Sequence, residues 1–176
     1  IEAKNIFNLP YYKIDILIHP KSYVHALLKF DNGLTKIIAH DTTMKIPIFN
    51  TIYLNSEKKI KSKKLDINFL NNLDLNKVDQ KRYPMIKLLK LLPYRQSLYE
   101  TVIVSANDKL VEFFLDRKIK FTDIEKKLFK LIKLNEFVKY KKIYPTNVKD
   151  ILNLNKYVRL KLHKKVYKNT NVKTTD

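Results

Sequence analysis

"YVHALLKFDNGLTKIIAH", Tyr23–His40, decides the reading of the fold. Its first half alternates, with Val24, Ala26, Leu28 and Phe30 on one face and Tyr23, His25, Leu27 and Lys29 on the other, the period of two that marks a strand. Asp-Asn-Gly follows, and Asn32 and Gly33 tolerate the positive φ of a tight primed turn. "LTKIIAH" then returns. The spacing predicts an antiparallel hairpin that pairs residues 23–30 with 34–40. Immediately upstream, "KIDILIH" (13–19) is dense in β-branched residues and reads as a further strand.

Beyond Pro47 the character changes. "IPIFNTIYL" (46–54) reads as a short helix, and "NSEKKIKSKKLDIN" (55–68) as a basic, solvated connector rather than a nucleic-acid patch or a targeting signal. Helical patterns follow. "YPMIKLLKLL" (83–92) has proline in its first turn and stops at Pro93, as the fixed φ and missing N–H of proline favour. A second helix is expected to open around Ser105 to Asp108, with Leu110, Val111, Phe114 and Leu115 on one stripe. A third is expected behind a Thr122/Glu125 capping box in "TDIE", burying Ile124, Leu128, Leu131 and Ile132. The fourth starts at about Asn147 and aligns Ile151, Leu154, Val158, Leu162 and Val166. The fold class is therefore α+β: antiparallel strands, a connector and a helical bundle.

Charge and composition narrow the function classes. Lys and Arg number 36 against 17 Asp and Glu, a net +19. The lysines are spread along a chain also rich in Asn and Ile. That distribution reads as A/T-rich coding on solvated faces, and no nucleic-acid or membrane partner is expected. There is no cysteine, which removes disulfides, thiolate metal sites and a Cys nucleophile. The single glycine excludes phosphate-cradling loops, which need several so that backbone amides approach the anion. No apolar run reaches the roughly 18 residues of a membrane span, and no signal-peptide pattern opens the chain. The chain begins at Ile1, directly in patterned sequence, which leads us to expect further sequence upstream.

Candidate chemistry gathers around "HPKSYVHA" (19–26). His19 and His25 supply two imidazoles, and Asp15, Asp31 and Asp41 supply carboxylates, but no recognised ligand spacing joins them. No metal site is expected in this chain. A Ser22–His25 nucleophile and base would lack an orienting acid. His40 and His163 have no companion in the sequence and read as ordinary polar positions.

The same octapeptide resembles the His-Pro-Gln-Ser-x-x-His-Ser segment of 1-deoxy-D-xylulose 5-phosphate reductoisomerases. "IEAKNIF" is similar to the Ile-Glu-Ala-x-x-Leu-Phe that precedes it in that family. "TTMKIPI" (42–48) falls where the family has Pro-Asp-Met-x-x-Pro-Ile, and "KLDI" (64–67) where it has Pro-Leu-Asp-Phe. "RYPMIKLL" (82–89) resembles Phe/Tyr-Pro-Cys-Leu-Lys-Leu-Ala. "VSANDKLVEFFLDRKIKFTDI" (104–124) resembles the run from Asn-Ala-Ala-Asn-Glu through Ala-Phe-Leu to Ile-x-Phe-x-Asp-Ile. The order and spacing of these segments carry the resemblance, more than any one of them.

The resemblance implies the carboxy-terminal part of such an enzyme. Residues 1–54 would be the end of the catalytic domain, contributing edge strands of its sheet. Residues 55–81 would be the connector, 82–170 a C-terminal four-helix domain, and 171–176 a frayed tail. It implies an NADPH-dependent conversion of 1-deoxy-D-xylulose 5-phosphate to 2-C-methyl-D-erythritol 4-phosphate in non-mevalonate isoprenoid synthesis. NADPH and the divalent metal, Mg or Mn, would be held mainly by an N-terminal part, so residues 1–176 alone are expected to be inactive. His25 would support catalysis by orienting the mobile loop over the sugar phosphate. Ser22 and Met44 would lie near substrate and nicotinamide. A homodimer is implied, with the hairpin near its interface. The expected location is a plastid-type organelle (apicoplast), toward which the Asn, Lys and Ile bias tilts, with the cytoplasm of a bacterium as the alternative. Departures from the pattern are Thr42 and Thr43 for Pro-Asp, Leu54 and Asn55 for Trp-Pro, Gln96 for Gly, and Val104 for Asn. These keep two alternatives in view: a catalytically inactive homologue, and a lysine-rich organellar RNA- or ribosome-associated protein.

Overall fold

The computed structural model describes residues 1–64 and 66–170, so the expected tail at 171–176 lies outside the described residues. The helices are α1 (Glu2–Phe7), α2 (Lys45–Ile52), α3 (Ile67–Asn71), α4 (Leu98–Leu115), α5 (Phe121–Ile132), α6 (Asn135–Val138) and α7 (Val148–Thr170). The strands are β1 (Leu17–Ile18), β2 (Val24–Lys29), β3 (Thr35–Ala39) and β4 (Asn76–Lys77). Two antiparallel pairs form, β1 with β4 and β2 with β3, which gives the α+β class expected from the sequence.

The chain packs as two units, one of Ile1–Ile14 together with the chain from Gln80 onward, the other Asp15–Asp79. The opening fourteen residues therefore pack with the helices, although the sequence grouped them with the strands up to residue 54. The expected connector also contributes structure: it contains α3 and β4, and β4 pairs with β1.

The helical unit is built around α4, which packs against α7, α5 and the short α6. Its first helical pattern is realised as a 3₁₀ helix, Pro84–Lys90. α4 starts at Leu98, well before the expected Ser105, with the Ser97 hydroxyl accepting from the Tyr99 N–H at 3.3 Å. The run Thr101–Val104 is β-branched and a poor helix former. Burial of Leu98, Tyr99, Val102, Ile103 and Ala106 overrides that preference. The buried stripe continues through Leu110 and Phe113, while Leu115, expected on it, is exposed. α5 begins two residues earlier than expected, with Lys120 and not Thr122 as its N-cap: the Asp123 carboxylate accepts from the Lys120 N–H at 3.1 Å, and Thr122 lies inside the first turn. Ile124, Leu128, Leu131 and Ile132 are buried as anticipated, and Tyr99 donates from its hydroxyl to the Ile132 carbonyl at 2.9 Å. Burial raises the Tyr99 phenol above its ordinary pKa. In α7 the Asn147 side chain accepts from the Asp150 N–H at 3.0 Å. Leu154, Val158, Leu162 and Val166 are buried there, and Ile151 is partly exposed.

All buried hydrophobic side chains among the described residues belong to this unit. Leu27, Leu28, Phe30, Ile37 and Ile38 of the strand unit remain exposed by 37–50%. Leu28, Phe30 and Ile38 lie on one face of the hairpin and Leu27 and Ile37 on the other, and a two-stranded hairpin is marginal by itself.

Candidate functional site

The sequence-predicted residues Ser22, His25 and Met44 all fall in the strand unit. Register there runs Lys29↔Thr35, Leu28↔Lys36, Leu27↔Ile37 and Ala26↔Ile38, then Val24↔Ala39. Between Ala26 and Val24, β2 uses one residue more than β3, and the extra residue is His25. Such a β-bulge kinks the strand and re-aims the bulged side chain. The turn differs from the expected primed type. Gly33 N–H donates to the Phe30 carbonyl at 3.0 Å and Phe30 N–H to the Leu34 carbonyl at 2.9 Å, and of the turn residues only Gly33 has positive φ, +86°. This is a three-residue loop with glycine in the left-handed position.

The bulge brings His25 onto a residue that sequence reasoning passed over. The His25 and His40 rings stack with centroids 3.7 Å apart and 14° between planes. His25 Nε2 lies 3.3 Å from the His40 carbonyl oxygen, and His40 Nδ1 lies 2.7 Å from the Asp41 carbonyl oxygen. A carbonyl only accepts, so Nε2 carries the proton on His25 and Nδ1 on His40. In an unbulged hairpin with this loop, His40 would sit opposite Val24. The sequence therefore held no direct signal that the two imidazoles meet.

From His40 the chain passes through a tight loop into α2. Thr43 N–H donates to the Asp41 carbonyl at 2.6 Å, and the Thr43 hydroxyl accepts from the Lys45 N–H at 3.3 Å. Thr43, one residue ahead of the Met44 N-cap, thus offers an oxygen to the first N–H of α2 where the family pattern has Asp, which can accept the same bond. The Asp41 carboxylate accepts from the Lys63 N–H at 2.9 Å and so fastens part of the basic connector to this loop. Met44 sits at the start of α2 with its side chain 69% exposed. Ser22 closes the turn of "HPKS", its N–H donating to the His19 carbonyl at 2.9 Å, and holds φ at +50°. No hydrogen bond or ring contact joins Ser22 or Met44 directly to His25 among the described residues. Met44 is linked to it only through His40, Asp41 and Thr43. Both ring nitrogens of His19 are buried without a hydrogen-bond partner.

The helical unit holds a different polar centre. Lys4 and Glu100 form a buried ion pair at 2.7 Å, and the Tyr11 hydroxyl donates to the same carboxylate oxygen at 2.7 Å. Partial burial and that carboxylate drive the Tyr11 pKa upward. Beside it lies a cavity of about 520 Å³ lined by Asn8, Tyr94, Arg95, Gln96 and Tyr144 among others. A second, of about 560 Å³, is ringed by Lys87, Lys90, Lys126 and Lys133. Neither includes Ser22, His25 or Met44.

The donor set tests what this chain could hold. No group of three His, Asp or Glu side chains converges among the described residues. The one glycine shapes a hairpin turn, not an anion cradle. The described residues therefore do not by themselves make a metal site. No helix among the described residues is long and apolar enough to cross a membrane.

Residues 41–161 match the model of the DXP reductoisomerase C-terminal domain. The chain is 58% identical over 162 residues to the 1-deoxy-D-xylulose 5-phosphate reductoisomerase of Pelagibacter ubique (strain HTCC1062), covering 92% of this chain and 42% of that protein. It is 36% identical over 126 residues to the enzyme of the same name from Sulfurihydrogenibium sp. (strain YO3AOP1), covering 72% and 34%. Among solved structures, the reductoisomerase from Zymomonas mobilis in complex with NADPH superposes with a TM-score of 0.74 at 26% identity, over 94% of this chain and 42% of that one. A DOX-P reductoisomerase in complex with NADPH, fosmidomycin and magnesium gives 0.80 at 26% identity, over 99% and 43%. The chain spans about two fifths of the length of the Pelagibacter relative and of both solved structures.

Proposed function

Since the chain belongs to the 1-deoxy-D-xylulose 5-phosphate reductoisomerase family through its C-terminal domain, we propose that it is the carboxy-terminal part of a working enzyme of that name. The reaction is the NADPH-dependent conversion of 1-deoxy-D-xylulose 5-phosphate to 2-C-methyl-D-erythritol 4-phosphate. The observation that carries this reading is 58% identity along nearly the whole chain to a relative of that name. The solved relatives hold NADPH and magnesium, and in this protein those groups belong to sequence outside this chain. There the nucleotide supplies hydride and the metal polarises substrate oxygens.

What this chain contributes is an edge of the site and its support. His25 serves at that edge with Nε2 held by the His40 carbonyl and Nδ1 left open, with Ser22 before the strand and Met44 after the hairpin as neighbours of substrate and nicotinamide. The bond from the Lys45 N–H to the Thr43 hydroxyl supports the reading that the loop departures leave the start of α2 intact. The exposed apolar side chains of the hairpin support a homodimer in which further strands or a second copy cover them. Location follows source, a plastid-type organelle in a eukaryote or the cytoplasm in a bacterium, and the Pelagibacter relative favours the latter.

The test is NADPH oxidation, followed by the absorbance of the reduced nicotinamide, by the full-length protein with substrate and magnesium. Turnover that requires all three supports the proposal. No turnover in a folded, NADPH-binding protein would sink it in favour of an inactive homologue. Residues 1–176 alone are expected to show none.

A further inference from the structure

We propose that His40 is a positioning residue for His25: its ring and its carbonyl together hold the His25 imidazole in one plane and one tautomer, keeping Nδ1 as the acceptor with which His25 works. The inference rests on the reading that His25 serves the active site, and it concerns a residue that the sequence left without a role. Three observations carry it. First, the His25 ring has two restraints at once, a face-on neighbour at 3.7 Å and an acceptor for Nε2–H at 3.3 Å, both supplied by His40. A neutral imidazole has one N–H, so fixing it on Nε2 leaves Nδ1 as the lone-pair site. Second, His40 is itself anchored, because its Nδ1–H donates to the Asp41 carbonyl at 2.7 Å and that carbonyl also accepts from Thr43 N–H. The stacking surface is therefore held by the loop that leads to Met44. Third, His25 is the bulged residue of β2. Bulges redirect a side chain at a cost in ladder bonding, and here the redirection places one imidazole over the other.

The experiment uses the full-length protein selectively labelled with ¹⁵N-histidine, at a pH of about 8 where imidazoles are neutral, and compares wild type with His40→Ala and His40→Phe. The His25 resonance is assigned by its loss in His25→Gln. Wild type is expected to show a pyrrole-like Nε2 and a pyridine-like Nδ1 for His25. His40→Ala keeps the backbone carbonyl but removes the ring that holds the imidazole against it, so the two shifts should move toward each other as the tautomers mix, and His40→Phe, which keeps a planar ring, should restore most of the separation. In turnover, His40→Ala should lower kcat/KM for the sugar phosphate about two- to tenfold, the worth of one ring stack, with KM for NADPH unchanged and partial recovery in His40→Phe. Unchanged His25 shifts in His40→Ala would overturn the proposal, as would a change that His40→Phe fails to reverse. The shifts are read without turnover, so an inactive protein would refute the proposed reaction while leaving the role of His40 to be decided by its spectrum.

Discussion

Replacing Glu100 by Leu should destabilise the helical unit by about 3–5 kcal/mol, the cost of leaving a buried charge without its partner. Lys4 and Glu100 are 7% and 5% exposed and 2.7 Å apart. At that separation the gross attraction is about 6 kcal/mol for an effective dielectric constant of about 20, and most of it offsets the loss of hydration. Glu100→Leu removes the attraction and leaves the desolvated ammonium, with only the Tyr11 ring at 5.0 Å as company. Lys4→Met strands the carboxylate in the same way, relieved partly by the Tyr11 hydroxyl. The double variant Lys4→Met/Glu100→Leu keeps the bulk and loses both charges, so its stability should return to within about 1 kcal/mol of wild type or exceed it. The assay is urea unfolding followed by far-UV circular dichroism, in which a slope of about 1–3 kcal/mol/M converts the single-variant loss into a midpoint lower by roughly 2 M. If the two single losses simply add in the double variant, the residues are not acting as a desolvated pair. A single loss under about 1 kcal/mol would mean that the pair is screened by water like a surface bridge.

Two further outcomes follow from the turn and from α7. Gly33→Ala places a side chain at φ +86° with no atom within 4 Å of the new Cβ, so backbone strain alone should cost about 1–2 kcal/mol. Gly33→Asn should cost less, and hairpin amide exchange would read both; equal exchange in Ala and wild type would refute the left-handed assignment. The Lys161 hydrogen bond, followed by that of Tyr157, holds the Glu136 carboxyl below its ordinary range. A folded-state pKa below the unfolded one stabilises at pH values above the unfolded pKa, and that contribution is lost as pH falls through the folded value. Thermal melts between about pH 5 and pH 3 should therefore fall less steeply for Glu136→Gln than for wild type, and identical slopes would contradict the assignment.

The hairpin and the helix stripes were legible because they depend on local periodicity: alternation in 23–30, and the spacing of Leu154, Val158, Leu162 and Val166. The start of α4 was not, because Thr101–Val104 argues locally for a strand and only packing against α5 and α7 makes it helical. His40 was invisible for a related reason. Its meeting with His25 depends on a one-residue slip in register, and nothing in the alternation of "YVHALLKF" announces where a ladder will slip. Lys4 and Glu100 lie 96 residues apart, and no spacing rule links positions so distant. The roles expected of His25, Ser22 and Met44 came from their likeness to a family, since two histidines and a serine near a turn carry no diagnostic spacing of their own.

That separation of 96 residues has a consequence in time. The helical unit is interrupted in the sequence, its first fourteen residues being made before the whole of Asp15–Asp79. At about 5–20 residues per second of synthesis, Lys4 leaves the ribosome roughly 5–20 s ahead of Glu100. During that interval the amphipathic turn of Glu2–Phe7 has no seat and its ammonium no counterion. The helical unit thus closes on a segment that has been waiting, while the hairpin, whose partners are local, can form in passing.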